Sequence, residues 1–97
     1  MQEWAFAQLK PSDNLAELRF YSMNKPCGAG EIDFRITVWE YAKPREPEAK
    51  FFAQADKQIN QNTAPFTPCG WGSTLLDALG ECIKQVHQFP YEGPDAP

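Results

Sequence analysis

Glu31-Ile-Asp-Phe-Arg-Ile-Thr-Val-Trp-Glu-Tyr41 is the stretch that decides the fold of this 97-residue chain. Ile32, Phe34, Ile36 and Val38 alternate with Glu31, Asp33, Arg35 and Thr37. A period of two puts the first set on one face of a β-strand and the second set on the other. The apolar set is all β-branched or aromatic, the side chains that a half-buried pleated surface accepts best.

Working outward from this strand, Leu18 and Phe20 alternate with Glu17, Arg19 and Tyr21, which reads as an earlier strand closed by Asn24-Lys-Pro-Cys-Gly-Ala-Gly30. Further back, Trp4 and Phe6 share a face from Glu3 to Leu9, and the Pro11-Ser-Asp-Asn14 turn would fold this first strand onto the second as a hairpin. On the other side, Lys43-Pro-Arg-Glu-Pro-Glu48 reads as a loop, because its two prolines remove ladder donors and its charges favour water. A further strand from Ala49 to about Ile59 puts Phe51, Ala53 and Ala55 inward, and the small side chains leave space for a helix. Gln61 to Gly72, with Phe66 and Trp71, reads as a long ordered loop pinned by aromatics, with room for a short edge strand.

Thr74-Leu-Leu-Asp77 has the spacing of a capping box, with Asp a weaker partner than Glu. Leu75, Leu79, Cys82, Ile83 and Val86 then recur at helical spacing as far as Phe89, where Pro90 ends the run. The expected fold is α+β, an antiparallel sheet of three or four strands packed against one C-terminal helix. Its expected core is Trp4, Phe6, Leu18, Phe20, Ile32, Phe34, Ile36, Val38, Phe51, Leu75, Leu79, Ile83 and Val86. Residues 1–90 form one domain in this reading, and 91–97 form a flexible tail with little to bury.

The length suits one core, since a second would have too little apolar material to offset its own chain entropy. Three Trp, seven Phe and three Tyr within a 42% hydrophobic composition argue for a folded chain. No stretch has the length and apolarity of a membrane span, and the first ten residues lack the basic start and apolar run of a secretory signal, so the sequence reads as cytoplasmic. A net charge of -4 repels phosphate backbones and anionic lipid, so neither direct nucleic-acid binding nor membrane binding is expected.

The chemistry-bearing residues are sparse. The single histidine, His87, lies five positions from Cys82, a spacing that turns the two side chains apart on a helix. Cys82 reads as core packing and His87 as a polar-face residue near a helix C-terminus. One His and three scattered Cys (Cys27, Cys69, Cys82) cannot assemble a zinc shell or a disulfide framework, which leaves only an all-carboxylate magnesium site open. Gly70-Trp-Gly72 precedes the helix as an anion site does, but turn geometry is the simpler account. No catalytic residue, metal or cofactor is assigned; the least implausible enzyme is a hydrolase assisted by Asp33 or Asp56.

The carboxylates remain. Glu31 and Asp33 share a strand face at roughly 6.5 to 7 Å, and Asp77 and Glu81 are one helical turn apart at about 6 Å. Both intervals approach that between neighbouring phosphates, so such carboxylates can occupy the Lys and Arg contacts of a DNA-binding groove. Competing with this is an ordinary solvated acidic surface, which Arg19, Arg35 and Lys84 interrupt.

Two resemblances bear on function. Phe52-Ala53-Gln-Ala55, followed by Gly70-Trp-Gly72-Ser-Thr74 and Asp77-Ala78-Leu79, resembles the strand-then-helix signature of HicB-type antitoxin domains, departing from it by a long insertion between the halves. This implies an antitoxin-like or adaptor domain that binds a protein through the aromatic loop around Phe66 and Trp71. As a short, acidic α+β chain without an enzyme motif, it also resembles the small anti-CRISPR inhibitors of phages and mobile elements, including those acting on the type I-F complex. This second resemblance implies an inhibitor in the bacterial cytoplasm. It would present Glu31, Asp33, Asp77 and Glu81 to a basic nucleic-acid-binding partner such as a CRISPR surveillance complex, and so exclude target DNA.

Overall fold

The computed structural model describes residues 3–94 and 96. Four strands, β1 (Ala16–Cys27), β2 (Gly30–Tyr41), β3 (Phe51–Ala55) and β4 (Cys69–Gly72), form one antiparallel sheet in the order β1-β2-β3-β4, followed by helix α1 (Leu75–Gln88). The α+β class, the four strands and the single C-terminal helix are as the sequence reading expects. Two twelve-residue strands stretch the molecule to 49 × 21 × 20 Å.

β2 behaves as its alternation dictates. Ile32, Phe34, Ile36 and Val38 are buried under α1 together with Phe51, Ala53 and Ala55 of β3 and Ala78, Cys82 and Val86 of the helix. Burial pushes the Cys82 thiol up to about 12, which keeps it protonated and inert near neutral pH. Leu75, Leu79 and Ile83 are half-buried and flank this core. The core gains Ile59, fully buried where it bridges Phe66, and Tyr91, whose ring meets Phe34 edge-on at 5.9 Å. The segment after the helix therefore contributes to the core at Tyr91, against the expectation of a tail with little to bury; residues 95 and 97 lie outside the described residues.

The N-terminal third differs from the sequence reading. Glu3–Ala7 is a short 3-10 helix, not a strand, and the hairpin is formed by β1 and β2. Trp4 is half-buried and Phe6 is 75% exposed, so only Ala5 of this segment is buried. β1 runs to Cys27, through the residues expected to end it, and turns at Gly28-Ala29. Gly28 has φ 60°, the positive value that the first position of a two-residue II′ hairpin turn requires.

That turn sets the register, and the register inverts the expected faces of β1. Cys27 opposes Gly30, so Tyr21 opposes Ile36, Met23 opposes Phe34 and Lys25 opposes Ile32. Directly opposed residues share a face. Tyr21 and Met23 therefore pack on the core, while Leu18 and Phe20, 44% and 73% exposed, lie on the other side. β3 is also shorter than expected, Phe51–Ala55, although its inward residues are those predicted.

Lys25 closes the far end of the core. Its buried ammonium donates to the backbone carbonyls of Val86, at 2.6 Å, and Phe89, two carbonyls that the last turn of α1 leaves without helical donors. Burial lowers the Lys25 pKa from the ordinary lysine value, and the two acceptors compensate the ammonium for lost water. Lys25→Met leaves both carbonyls unpaired and is expected to cost about 2 kcal/mol, read as a lower midpoint in urea at unchanged slope.

Candidate functional site

Among the described residues, α1 packs on one face of the sheet and no α-helix packs on the other. On the helix-free face, the antiparallel register aligns Leu18 with Trp39, Trp39 with Phe52, and Phe52 with Trp71, one apolar residue from each strand. Period-two alternation places Tyr41 and Phe20 on this same face. Trp39 and Phe52 have ring centroids 5.5 Å apart, Phe52 and Trp71 4.4 Å, and Tyr41 and Trp71 6.2 Å with planes 20° from parallel. These spacings make a continuous aromatic platform. Trp71 is 53% exposed.

The ends of the platform differ in charge. Beyond Tyr41 and Trp71 the loop after β2 brings Lys43 and Arg45 to a groove of about 460 Å³. At the other end of β2, Glu31 and Asp33 are exposed on the helix-free face, with Arg35 two residues along the same face. Asp56 accepts from the backbone N–H of Arg35 at 3.0 Å and pairs with Lys57 at 3.1 Å. Those contacts explain Asp56 as a strand-end acceptor.

Asp77 and Glu81 are exposed on α1, which covers the opposite face of the sheet. The fold thus separates the four carboxylates into two pairs on opposite sides and makes no single phosphate-like row of them. Thr74 accepts from the Asp77 backbone N–H at 3.1 Å, so the expected cap is present, while the Asp77 carboxylate lies 3.5 Å from Ser73 Oγ. Phe66 and Trp71, expected on one loop, part as well. Phe66 packs edge-on against Phe89 beside the core, whereas Trp71 is in β4 on the platform.

No family model, curated protein or solved structure matches this chain.

Gly70 and Gly72 have a reason other than a turn or an anion. A Cβ on Gly70 would lie 2.5 Å from the Ala78 carbonyl oxygen, and one on Gly72 would lie 2.6 Å from Asp77 Cβ. Both glycines are buried where α1 crosses β4. Their alternation with Trp71 presses the helix onto one side of the edge strand and leaves the indole on the other. His87 is exposed in the last turn of α1, and among the described residues no group of three or more His, Cys, Asp or Glu is placed to hold a metal. Among them, too, no helix is long and apolar enough to cross a membrane.

Sequence reading found Trp71 but missed Trp39, Phe52 and Tyr41 as its companions. The signal was present where the odd positions of β2 change from Glu31, Asp33, Arg35 and Thr37 to Trp39 and Tyr41, and at Phe52 of β3; it was hidden because the even set of β2 supplied a sufficient strand pattern.

Proposed function

We propose that this chain is a non-catalytic protein-binding module whose interface is the helix-free face of the sheet. The observation that carries this reading is the row Leu18, Trp39, Phe52 and Trp71, which crosses all four strands with no α-helix packed over it among the described residues. Contiguous apolar surface of this kind is costly to leave in water and marks interaction sites. Trp and Tyr at the centre of an interface carry a large share of its free energy. The complementary partner has an apolar centre, a basic margin toward Glu31 and Asp33, and an acidic margin toward Lys43 and Arg45.

Capture of a partner from bacterial lysate, followed by titration of the purified pair, tests the reading. Trp71→Ala is expected to weaken binding by about 2 kcal/mol with little change in salt dependence. Unchanged affinity for Trp71→Ala would remove the platform from the interface. The inhibitor that excludes DNA from a basic groove is a second reading, favoured by the exposure of Glu31 and Asp33 beside the platform. In that case Asp33→Lys, not Trp71→Ala, gives the larger loss, and binding falls steeply with salt.

A further inference from the structure

The strand order leaves β1 and β4 as the two edges of the sheet, and the two are finished differently. β4 is four residues long, and its Cys69 N–H is taken by the Gln85 side chain at 3.1 Å. β1 is twelve residues long. The direction of its backbone groups follows from the ladder. Ala42 N–H donates to Leu15 C=O at 2.9 Å, and Asp56 N–H to Arg35 C=O at 2.9 Å. Hydrogen-bonded pairs alternate along antiparallel strands, so even residues of β2 bond to β1 and odd residues bond to β3. The β1 partners of the even residues are themselves odd, Glu17 to Cys27.

The even residues Ala16, Leu18, Phe20, Ser22 and Asn24 consequently turn N–H and C=O away from the sheet. Among the described residues, none of these five makes a backbone or side-chain hydrogen bond on that side. Pro26, the one proline in β1, falls in the same outward set, where it removes no ladder donor. An open edge of this length is a template for another strand, and edges that must remain single are shortened, charged or covered. The side chains of these five carry no charge, and the charged residues of β1 lie on the helix-covered face, where Arg19 pairs with Glu40 and Lys25 is buried.

We propose that β1 pairs antiparallel with β1 of a second copy, with the two-fold axis at Phe20, to give an eight-stranded sheet across a dimer. Self-complementarity selects this occupant and this register. With Phe20 on the axis, Phe20 meets its symmetry mate, Leu18 meets Ser22, Ala16 meets Asn24, Arg19 lies over Tyr21, and Glu17 faces Met23, with no like charges opposed. Centring on Arg19 opposes two arginines, and centring on Ser22 opposes Arg19 and Lys25; either is unfavourable. Centring on Tyr21 opposes Tyr21 to its own mate on the helix-covered face and Glu17 to Lys25, whose ammonium is already held by the Val86 and Phe89 carbonyls, and it leaves the exposed Phe20 against Ser22. The chosen register covers Phe20 and joins the two aromatic faces into one surface.

Light scattering after size exclusion, over a concentration series of the full chain, is expected to give twice the chain mass. Ser22→Pro removes an outward donor and leaves the β1–β2 ladder intact, so a monomer with unchanged circular dichroism is expected. Phe20→Lys, at a site already exposed, opposes two cations across the axis and is expected to lower the association constant about a hundredfold or more. A wild-type monomer at every concentration overturns the proposal, as does a dimer that survives either substitution. None of these measurements involves the partner of the aromatic platform, so the two readings stand or fall separately.

Discussion

Phe34→Ala is expected to destabilise the chain by about 3 to 5 kcal/mol, the largest loss of any single truncation in this fold. Phe34 is fully buried at the centre of β2, with Tyr91 edge-on to its ring and Met23 directly opposite on β1. Removing the ring deletes contacts to the helix layer, the neighbouring strand and the segment after the helix together. Those three cannot all collapse into the void, because the β1–β2 ladder fixes one wall and α1 the other. For a chain of 97 residues such a loss is a large share of the total stability. Urea unfolding followed by Trp fluorescence measures it; a cost under about 1 kcal/mol would mean that Phe34 is not tightly packed. Leu79→Ala, at a half-buried position, belongs well below it.

Gly70→Ala is expected to cost about 3 kcal/mol, although it adds a single methyl group. The added carbon would lie 2.5 Å from Ala78 O, 2.8 Å from Glu81 Cβ and 2.9 Å from Cys82 N. Two of these three atoms are helix backbone, so no rotamer change relieves the collision. Either α1 lifts from β4 or β4 separates from β3. Gly80→Ala is the matched control, because nothing lies within 4 Å of a Cβ there and Gly80 is exposed within α1. It is expected to stabilise by about 0.5 to 1 kcal/mol through helix propensity. Opposite signs for two Gly→Ala changes in adjoining elements, measured by thermal unfolding, establish the close crossing. A neutral Gly70→Ala would contradict it.

What was legible in the sequence was set by strong local patterns. The alternation of β2, the inward Phe51, Ala53 and Ala55 of β3, and the capped apolar stripe of α1 each identify an element and its buried side from neighbouring residues alone. Glu3–Ala7 failed because Trp4 and Phe6 are too few to distinguish strand spacing from a short helix. Of the proposed site, Trp71 was found as an aromatic in an unusual loop, and the carboxylates were found as local pairs.

The amino-acid sequence by itself determined the α+β class, the strand at β2, the helix that covers it and the burial of Cys82, since all of these depend on periodicities within one segment. Only the tertiary structure decided which face of β1 meets the core, because both of its faces carry apolar residues and the Gly28-Ala29 turn fixes the register. The same register gathers Leu18, Trp39, Phe52 and Trp71 into one row and leaves an edge of β1 open. Residues dozens of positions apart become neighbours through hydrogen-bonded strand pairing, and no pattern within a single segment encodes that.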